Sequence, residues 1–489
     1  MSPSSPTASR PGTRDLFTPR YRDLTVGLVS TITLVALEAL AIGTVMPIVA
    51  RELGGLDLYG WVFSAFFLGN LIGIVVAGGA LDRMPLRRPF AAGLLLFATG
   101  LVLGGLAPSM ELLVLARFVQ GLGAGAIPPT AYVAIARTLP EPLRPRMFAM
   151  LSTAWVVPSV LGPAIAAVVG EFLGWRWVFL GLLPLLAVSG AVALRALRDV
   201  RGGTPRVEQG EESAASVDDR VHDAAIASAR RLPTALVAAA GATILLAAIT
   251  APDLLVVVGG TGLGLVLLVP AFRRLTPRGT LTLATGLPAA VLLRGVLTFG
   301  FFAADAYVAL LLQEWRDEPP LLTALAFTTT SLAWSAGAWI QARSIERRGA
   351  RFFVARGALL VVAGIVLSMP ALLDAVPAWI VVVTFPLAGF GMGFAYAAVA
   401  IVVLRDAAPA EQGSSSAALQ LSDILGTALG AGIGGAIIAV GARAGGDGVG
   451  IGLAVTFAVA ALAMVGAWLG SVRLGPRRPA RTVQPAAVD

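Results

Sequence analysis

Gly78-Gly79-Ala80-Leu81-Asp82-Arg83-Met84-Pro85-Leu86-Arg87 ends an apolar run from about 58 to 80 and precedes another from 89 to 107. At 264 positions further on, Glu346-Arg347-Arg348-Gly349-Ala350-Arg351 stands between the runs 320 to 342 and 352 to 370. Both read acid, arginine, three residues, arginine. About 20 apolar residues in a helix cover roughly 30 Å of hydrocarbon, so a charged turn between two such runs is how a chain reverses between membrane crossings. Its recurrence at a fixed distance identifies a duplicated chain.

The same pairing holds elsewhere. Gly121, Gly123 and Gly125 have counterparts in Gly389, Gly391 and Gly393, and Leu161-Gly162 has one in Leu425-Gly426. Apolar runs lie at 24 to 49, 58 to 80, 89 to 107, 111 to 136, 147 to 169 and 177 to 196, then at 232 to 250 and 254 to 272. A second six follows at 283 to 313, 320 to 342, 352 to 370, 377 to 404, 413 to 440 and 449 to 472. The expected fold is an all-α integral membrane protein of 14 spans, two pseudo-symmetric six-helix bundles with two extra helices between them. Its parts are a tail at 1–23, a first bundle at 24–196, a polar linker at 197–231, the extra pair at 232–272, a second bundle at 273–472 and a tail at 473–489.

Composition agrees: 57% of the 489 residues are hydrophobic and 13% charged, with mean hydropathy +0.84. There is no cysteine, all 36 basic residues are arginine, and the one histidine, His222, lies in the polar linker. Thiolate chemistry, histidine metal clusters, lysine Schiff bases and a Walker-type phosphate loop are therefore excluded. Gly259-Gly260-Thr261-Gly262-Leu263-Gly264 has the look of a phosphate loop but falls inside an apolar run and is read as packing. The net charge of +8 is explained by topology rather than nucleic acid. With both termini cytoplasmic, 30 arginines fall on the inner side and only Arg51, Arg176, Arg316 and Arg443 on the outer, as the positive-inside rule requires.

These residues resemble the major facilitator superfamily, in particular its fourteen-helix drug:proton antiporters. Gly78 to Arg83 is similar to the family's loop motif between helices 2 and 3, with Pro85-Leu86 where Gly-Arg is usual. Arg117-Phe118-Val119-Gln120-Gly121 resembles its helix 4 motif. Gly162-Pro163-Ala164-Ile165-Ala166-Ala167 resembles the helix 5 antiporter motif, with alanines in place of the last glycine pair. Leu37-Glu38 through Pro47 has the spacing of the helix 1 motif, with glutamate for aspartate. The resemblance implies a rocker-switch exporter, multi-pass in the cell membrane and monomeric. Small lipophilic substrates and protons are its partners, and it has no cofactor beyond the proton gradient.

The candidate residues follow from the cost of burying charge. Glu38 lies near mid-membrane, where an ionisable group costs roughly 2.5 to 3.5 kcal/mol and so must be neutral, paired or wet. It is a proton site or a neutral acid bonded to a neighbouring helix. The depths of Arg117 and Glu38 differ by about 7.5 Å, within an arginine's reach. The resemblance implies that they pair, and the alternative is an Arg117 that snorkels to the interface. Asp305 is the second expected proton site. Arg294 precedes it by 11 residues, about 20° beyond three turns, so both face one way. Arg294 then lines a wet path or anchors at the interface. Asp423, with Gln420 beside it, lines the cavity or caps a helix start near Ser414. Phe301, Phe302, Tyr307, Trp155, Trp334 and Tyr396 are the expected aromatic wall, and Asp82, Arg83, Glu346, Arg347, Gly162 and Pro163 the gating motifs. The main expectation is proton-coupled export of lipophilic or cationic compounds; the alternative is export of one metabolite or lipid.

The topology has a direct test. With no background thiol, a His222→Cys variant should react with a membrane-impermeant maleimide only after the membrane is opened, and labelling of intact cells would overturn the orientation.

Overall fold

The computed structural model describes residues 13–81, 84–198, 214–251, 253–408 and 411–475, and among them every long element is a helix. In chain order the first bundle consists of α1 (Arg22–Leu53), α2 (Tyr59–Leu81), α3 (Arg87–Gly105), α4 (Met110–Thr138), α5 (Arg144–Phe172) and α6 (Arg176–Ala196). Next come α7 (Leu232–Ile249) and α8 (Leu254–Leu275), then α9 (Leu287–Trp315). A 49-residue helix, Pro320–Ser368, is followed by Ile380–Asp406, Gln412–Ala444 and Gly448–Gly470. The helix carrying α7 extends back to Ala214, into the stretch expected as linker.

Thirteen helices are long and apolar enough to cross a membrane, where fourteen are expected. The difference lies in Pro320–Ser368. Unbroken, it would measure about 74 Å, but Gly349 departs from helical geometry at φ 74°, ψ 159°. The arm 320–348 (α10) places Thr330, Trp334 and Gly337 against Gly389, Gly393 and Phe390. The arm 350–368 (α11) places Gly357, Val361 and Gly364 against Gly391 and Ala388. Thr330 and Gly357 would be about 40 Å apart in a straight helix. Both reach one short stretch of Ile380–Asp406 (α12) because the chain doubles back at Gly349.

The first bundle is built in the same way. Gly121 and Gly125 of α4 meet Phe66 and Asn70 of α2, while Gly123 meets Gly93 and Phe97 of α3. In each half, the outer glycines of the triplet receive the second helix and the middle one receives the third. Small residues bring the backbones into contact, which is what binds helices where lipid offers apolar contact just as good. Gly162 of α5 lies against Leu37 and Leu40 of α1.

Gln412–Ala444 (α13) and Gly448–Gly470 (α14) complete the second bundle. The extra pair sits at the junction of the halves. Gly241 of α7 and Gly264 of α8 face each other and Gly260 meets Ala248, so the glycine run that resembles a phosphate loop lies within a helix and packs through two of its four glycines, Gly259 and Gly262 facing open space. Ala238, Ala239, Ala242 and Leu246 join Leu68 and Leu71 of α2 with Leu425 and Ala428 of α13 in one apolar cluster. Leu254, Leu255, Val258 and Val266 of α8 remain exposed, as a lipid-facing surface would. At the far end Arg443 Nη2 donates to the Thr250 carbonyl at 2.6 Å.

Gly349→Ala should lower the stability of the purified protein by about 1 to 3 kcal/mol, because no side chain adopts that backbone cheaply. Gly78→Ala, where an added Cβ meets nothing within 4 Å, should leave it unchanged or raise it slightly. Thermal unfolding in detergent compares the two, and equal midpoints would refute the turn's role.

Candidate functional site

In the first bundle, Ser109 caps α4 by accepting from the Leu112 N–H, and Arg117 follows two turns later. Its Nη1 donates to Glu38 of α1 and, at 2.7 Å, to Gln120 Oε1, while its Nε donates to the Val62 carbonyl of α2 at 3.2 Å. The guanidinium carbon lies 4.3 Å from the centre of the Phe66 ring. Only 2% of the Arg117 side chain and 1% of Glu38 is exposed, so Arg117 does not snorkel. Each charge is tolerated because the other neutralises it. Among the described residues Glu38 Oε2 and Gln120 Nε2 have no hydrogen-bond partner, so one carboxylate oxygen is unengaged.

The second bundle holds a cluster that the sequence did not pair. Arg294 of α9 lies 3.3 Å from Asp423 Oδ1 of α13, and Tyr396 of α12 donates its hydroxyl to Asp423 Oδ2 at 2.7 Å. Arg294 Nη1 donates to the Tyr396 carbonyl, and the guanidinium carbon sits 3.1 Å from the centre of that ring. Asp423 is well inside a helix whose cap is Glu411, so it does not cap the start. Arg294 is 8% exposed and turns into the bundle instead of anchoring at an interface. Gln420 is exposed and joins neither cluster.

Four of the expected aromatic residues form one chain: Phe302 to Phe301 at 5.2 Å, Phe301 to Trp334 at 5.3 Å and Trp334 to Tyr396 at 5.6 Å between ring centres. Phe67 of the first bundle reaches Phe302 at 6.3 Å. Asp305 follows Phe301 by four residues and so keeps to its side of the helix. It is half-buried, and among the described residues its carboxylate has no hydrogen bond or ion pair.

Tyr307 departs from expectation. Six residues beyond Phe301, it points about 240° away, into the junction of α2 and α13. There it packs on Tyr59 and between Gly60 and Gly435 and donates to the Ala431 carbonyl. Trp155 is 46% exposed and is not part of the aromatic chain. Tyr132 stands 264 positions before Tyr396, is 43% exposed and meets the Phe148 ring at 5.5 Å. Asp82 and Arg83 lie outside the described residues, while Glu346 and Arg347 are exposed and form no ion pair among those described.

The polar contacts between the halves gather away from the arginine-rich end. Arg51 Nε meets Glu314 Oε1 at 2.7 Å, Gln313 Nε2 donates to the Thr44 carbonyl at 2.9 Å, and Ser64 donates to the Ala428 carbonyl at 2.8 Å. Thr328 donates to the Val160 carbonyl of α5 at 3.0 Å nearer the middle. Gln313 and Glu314 sit in a π-helical turn, Leu311–Trp315, a form that recurs at functional positions. Their partners Thr44 and Arg51, seven residues apart, share one face of α1.

The sequence profile described as Major Facilitator Superfamily matches residues 28–431. The chain is 26% identical over 446 residues to a probable multidrug-efflux transporter of Mycobacterium tuberculosis, covering 88% of this chain and 91% of that one. It is also 31% identical over 164 residues to multidrug resistance protein 3 of Bacillus subtilis, about a third of each chain (34% and 32%). Among solved structures, a bacterial homologue of the human lysosomal transporter Spinster aligns with TM-score 0.66 at 15% identity, covering 94% of this chain and 98% of that one. A D-xylose–proton symporter aligns with TM-score 0.61 at 12% identity over 92% and 97%. The chain belongs to the Major Facilitator Superfamily.

Gln313→Met keeps the side chain's volume and removes its bond to Thr44. The closed junction should weaken by about 1 kcal/mol, roughly fivefold in population. Spin labels at Asp57 and Asp374, one in each half, should then show a larger share of long distances. An unchanged distribution would exclude the clasp.

Proposed function

We propose that this member of the Major Facilitator Superfamily is a proton-driven exporter of lipophilic compounds, cationic ones included, working by alternating access in the cell membrane. The observation that carries the reading is a pair of unlike acids. Glu38 is sealed with Arg117 and Gln120 but keeps one oxygen free, while Asp305 stands without a partner beside an aromatic wall. If the arginine-rich end is cytoplasmic, the clasp of Gln313 and Glu314 closes the outer side and the cavity opens inward.

The coupling proceeds through charge balance. Protonation of Glu38 removes the counter-charge of Arg117 and loosens the contact between α1 and α4; loss of the proton restores it. A cation resting on the aromatic wall supplies the partner that Asp305 lacks, through ring and ion contact together. For a neutral substrate, one inward-moving proton is worth about 2.3 kcal/mol per 100 mV, roughly a fifty-fold substrate gradient at 1.4 kcal/mol per tenfold; exchange of one proton for one monovalent cation moves no net charge and draws on the pH difference alone, about tenfold per pH unit. The multidrug-efflux name of one curated relative supports the outward direction, and the multidrug names of both support drug-like substrates. Export of a single metabolite is the second reading.

Proteoliposomes with an imposed pH gradient and matched cationic, neutral and anionic lipophiles test the assignment. Glu38→Gln should abolish uphill export yet leave substrate binding. Asp305→Asn should weaken cations more than neutral compounds, by about 1.5 to 3 kcal/mol, or tenfold and more in affinity. If both variants, singly and combined, pump uphill with the wild-type pH dependence, neither acid couples transport. Uptake of one hydrophilic solute instead would overturn the export reading.

A further inference from the structure

The two intramembrane arginines are satisfied to very different degrees. Arg117 gives hydrogen bonds to a carboxylate, an amide oxygen and a backbone carbonyl. Arg294, buried almost as deeply, donates to the Tyr396 carbonyl alone among the described residues. Its Nε is within ion-pair distance of Asp423 Oδ1 but out of line for a hydrogen bond, and it stands as a buried donor without an acceptor. A guanidinium offers five N–H donors in a fork that fits a carboxylate. Unmet donors on a buried cation are expensive, and native proteins rarely leave them without a purpose.

We infer that Arg294, Asp423 and Tyr396 form a binding site for the charged head of a lipophilic zwitterion. The inference rests on the exporter reading and names a substrate class for it. Asp423 is 19% exposed and Arg294 8%, so the pair is reachable, whereas Glu38 and Arg117 are sealed. The charge balance selects the ligand. An anion alone, drawn to Arg294, leaves Asp423 without its cation, and a cation alone leaves Arg294 without its anion. A ligand carrying both exchanges partners with both, so that no charge is left buried and unpaired. Its carboxylate takes the free donors of Arg294, its ammonium takes Asp423 Oδ1, and Tyr396 keeps its bond to Oδ2. The apolar body then lies on Trp334, next to Tyr396 at 5.6 Å, and continues toward Phe301. Asp305, about 16.5 Å along α9, belongs to the other end of that wall and is not part of this site.

Equilibrium binding to the purified full chain in detergent, with no gradient, tests the site independently of coupling. Three probes share one fluorescent aromatic body and carry an ammonium, a carboxylate, or both. The wild type should bind the zwitterion at least tenfold more tightly than either partner probe. Arg294→Gln should bring it to the level of the amine, and Asp423→Asn to the level of the carboxylate. If a single variant does not fold, Arg294→Leu combined with Asp423→Leu removes both charges without stranding one and should also lose the preference. A wild type that binds the amine but gives the zwitterion no advantage overturns this site alone, as do folded variants that keep the preference. Binding of none of the three probes overturns the lipophile-exporter reading with it.

Discussion

A charged side chain in hydrocarbon must bring its own solvation, and this constraint organises the interior of the protein. Arg117 gathers Glu38, Gln120, the Val62 carbonyl and the Phe66 ring, and so draws α1, α2 and α4 to one point. Arg294 does the same for α9, α12 and α13 through Asp423 and Tyr396. Around these two polar centres glycines bring the helix backbones close, and buried apolar side chains fill the space between them. The polar centres supply direction, and the glycines supply proximity. Neither would suffice alone, because apolar helix faces in lipid gain little by exchanging one apolar neighbour for another.

Much of this was legible in the sequence, and the reasons are local. The repeat at 264 positions, the glycine triplets and the arginine distribution depend on residues near one another in the chain, and they lead to the duplicated helical bundle. Glu38 and Arg117 could be matched because their depths can be counted along two helices and a known motif resembles theirs. Arg294 and Asp423 could not. Their partnership depends on the rotation of α9 and α13 about their axes, which no spacing along either helix records. Tyr307 shows the limit within one helix: it clusters with Phe301 and Phe302 in sequence, yet six residues carry it about 120° round the helix to a different face. The turn at Gly349 could be foreseen as a turn, but not its closeness, which leaves α10 and α11 running on as one helix but for a single residue.

The two halves also differ in how they meet. At the junction of α5 and α10, a threonine hydroxyl bonds directly to a backbone carbonyl. At the junction of α2 and α13, Ser64 bonds the Ala428 carbonyl and Tyr307 packs on Tyr59 near one end, and α7 lies along the rest. The halves are related by sequence but joined asymmetrically, because the inserted pair occupies one seam and not the other.

That inserted pair has a mechanical consequence. Its contact with α2 and α13 is made by apolar side chains, mainly alanine and leucine, and among the described residues has no directional bond along its length, the Arg443 to Thr250 contact lying at its end. Dispersion between smooth apolar faces changes little when one slides a few ångströms over the other, whereas a hydrogen-bonded face would have to break and remake its bonds. In the alternating access proposed above, the pair would act as a bearing, keeping the seam filled against lipid while the bundles it touches turn relative to each other. An insertion of two helices is also the smallest that returns the chain to the side it left. The second bundle thus keeps the direction it would have had without the insertion, and a bearing could be added to a duplicated transporter without reversing either half.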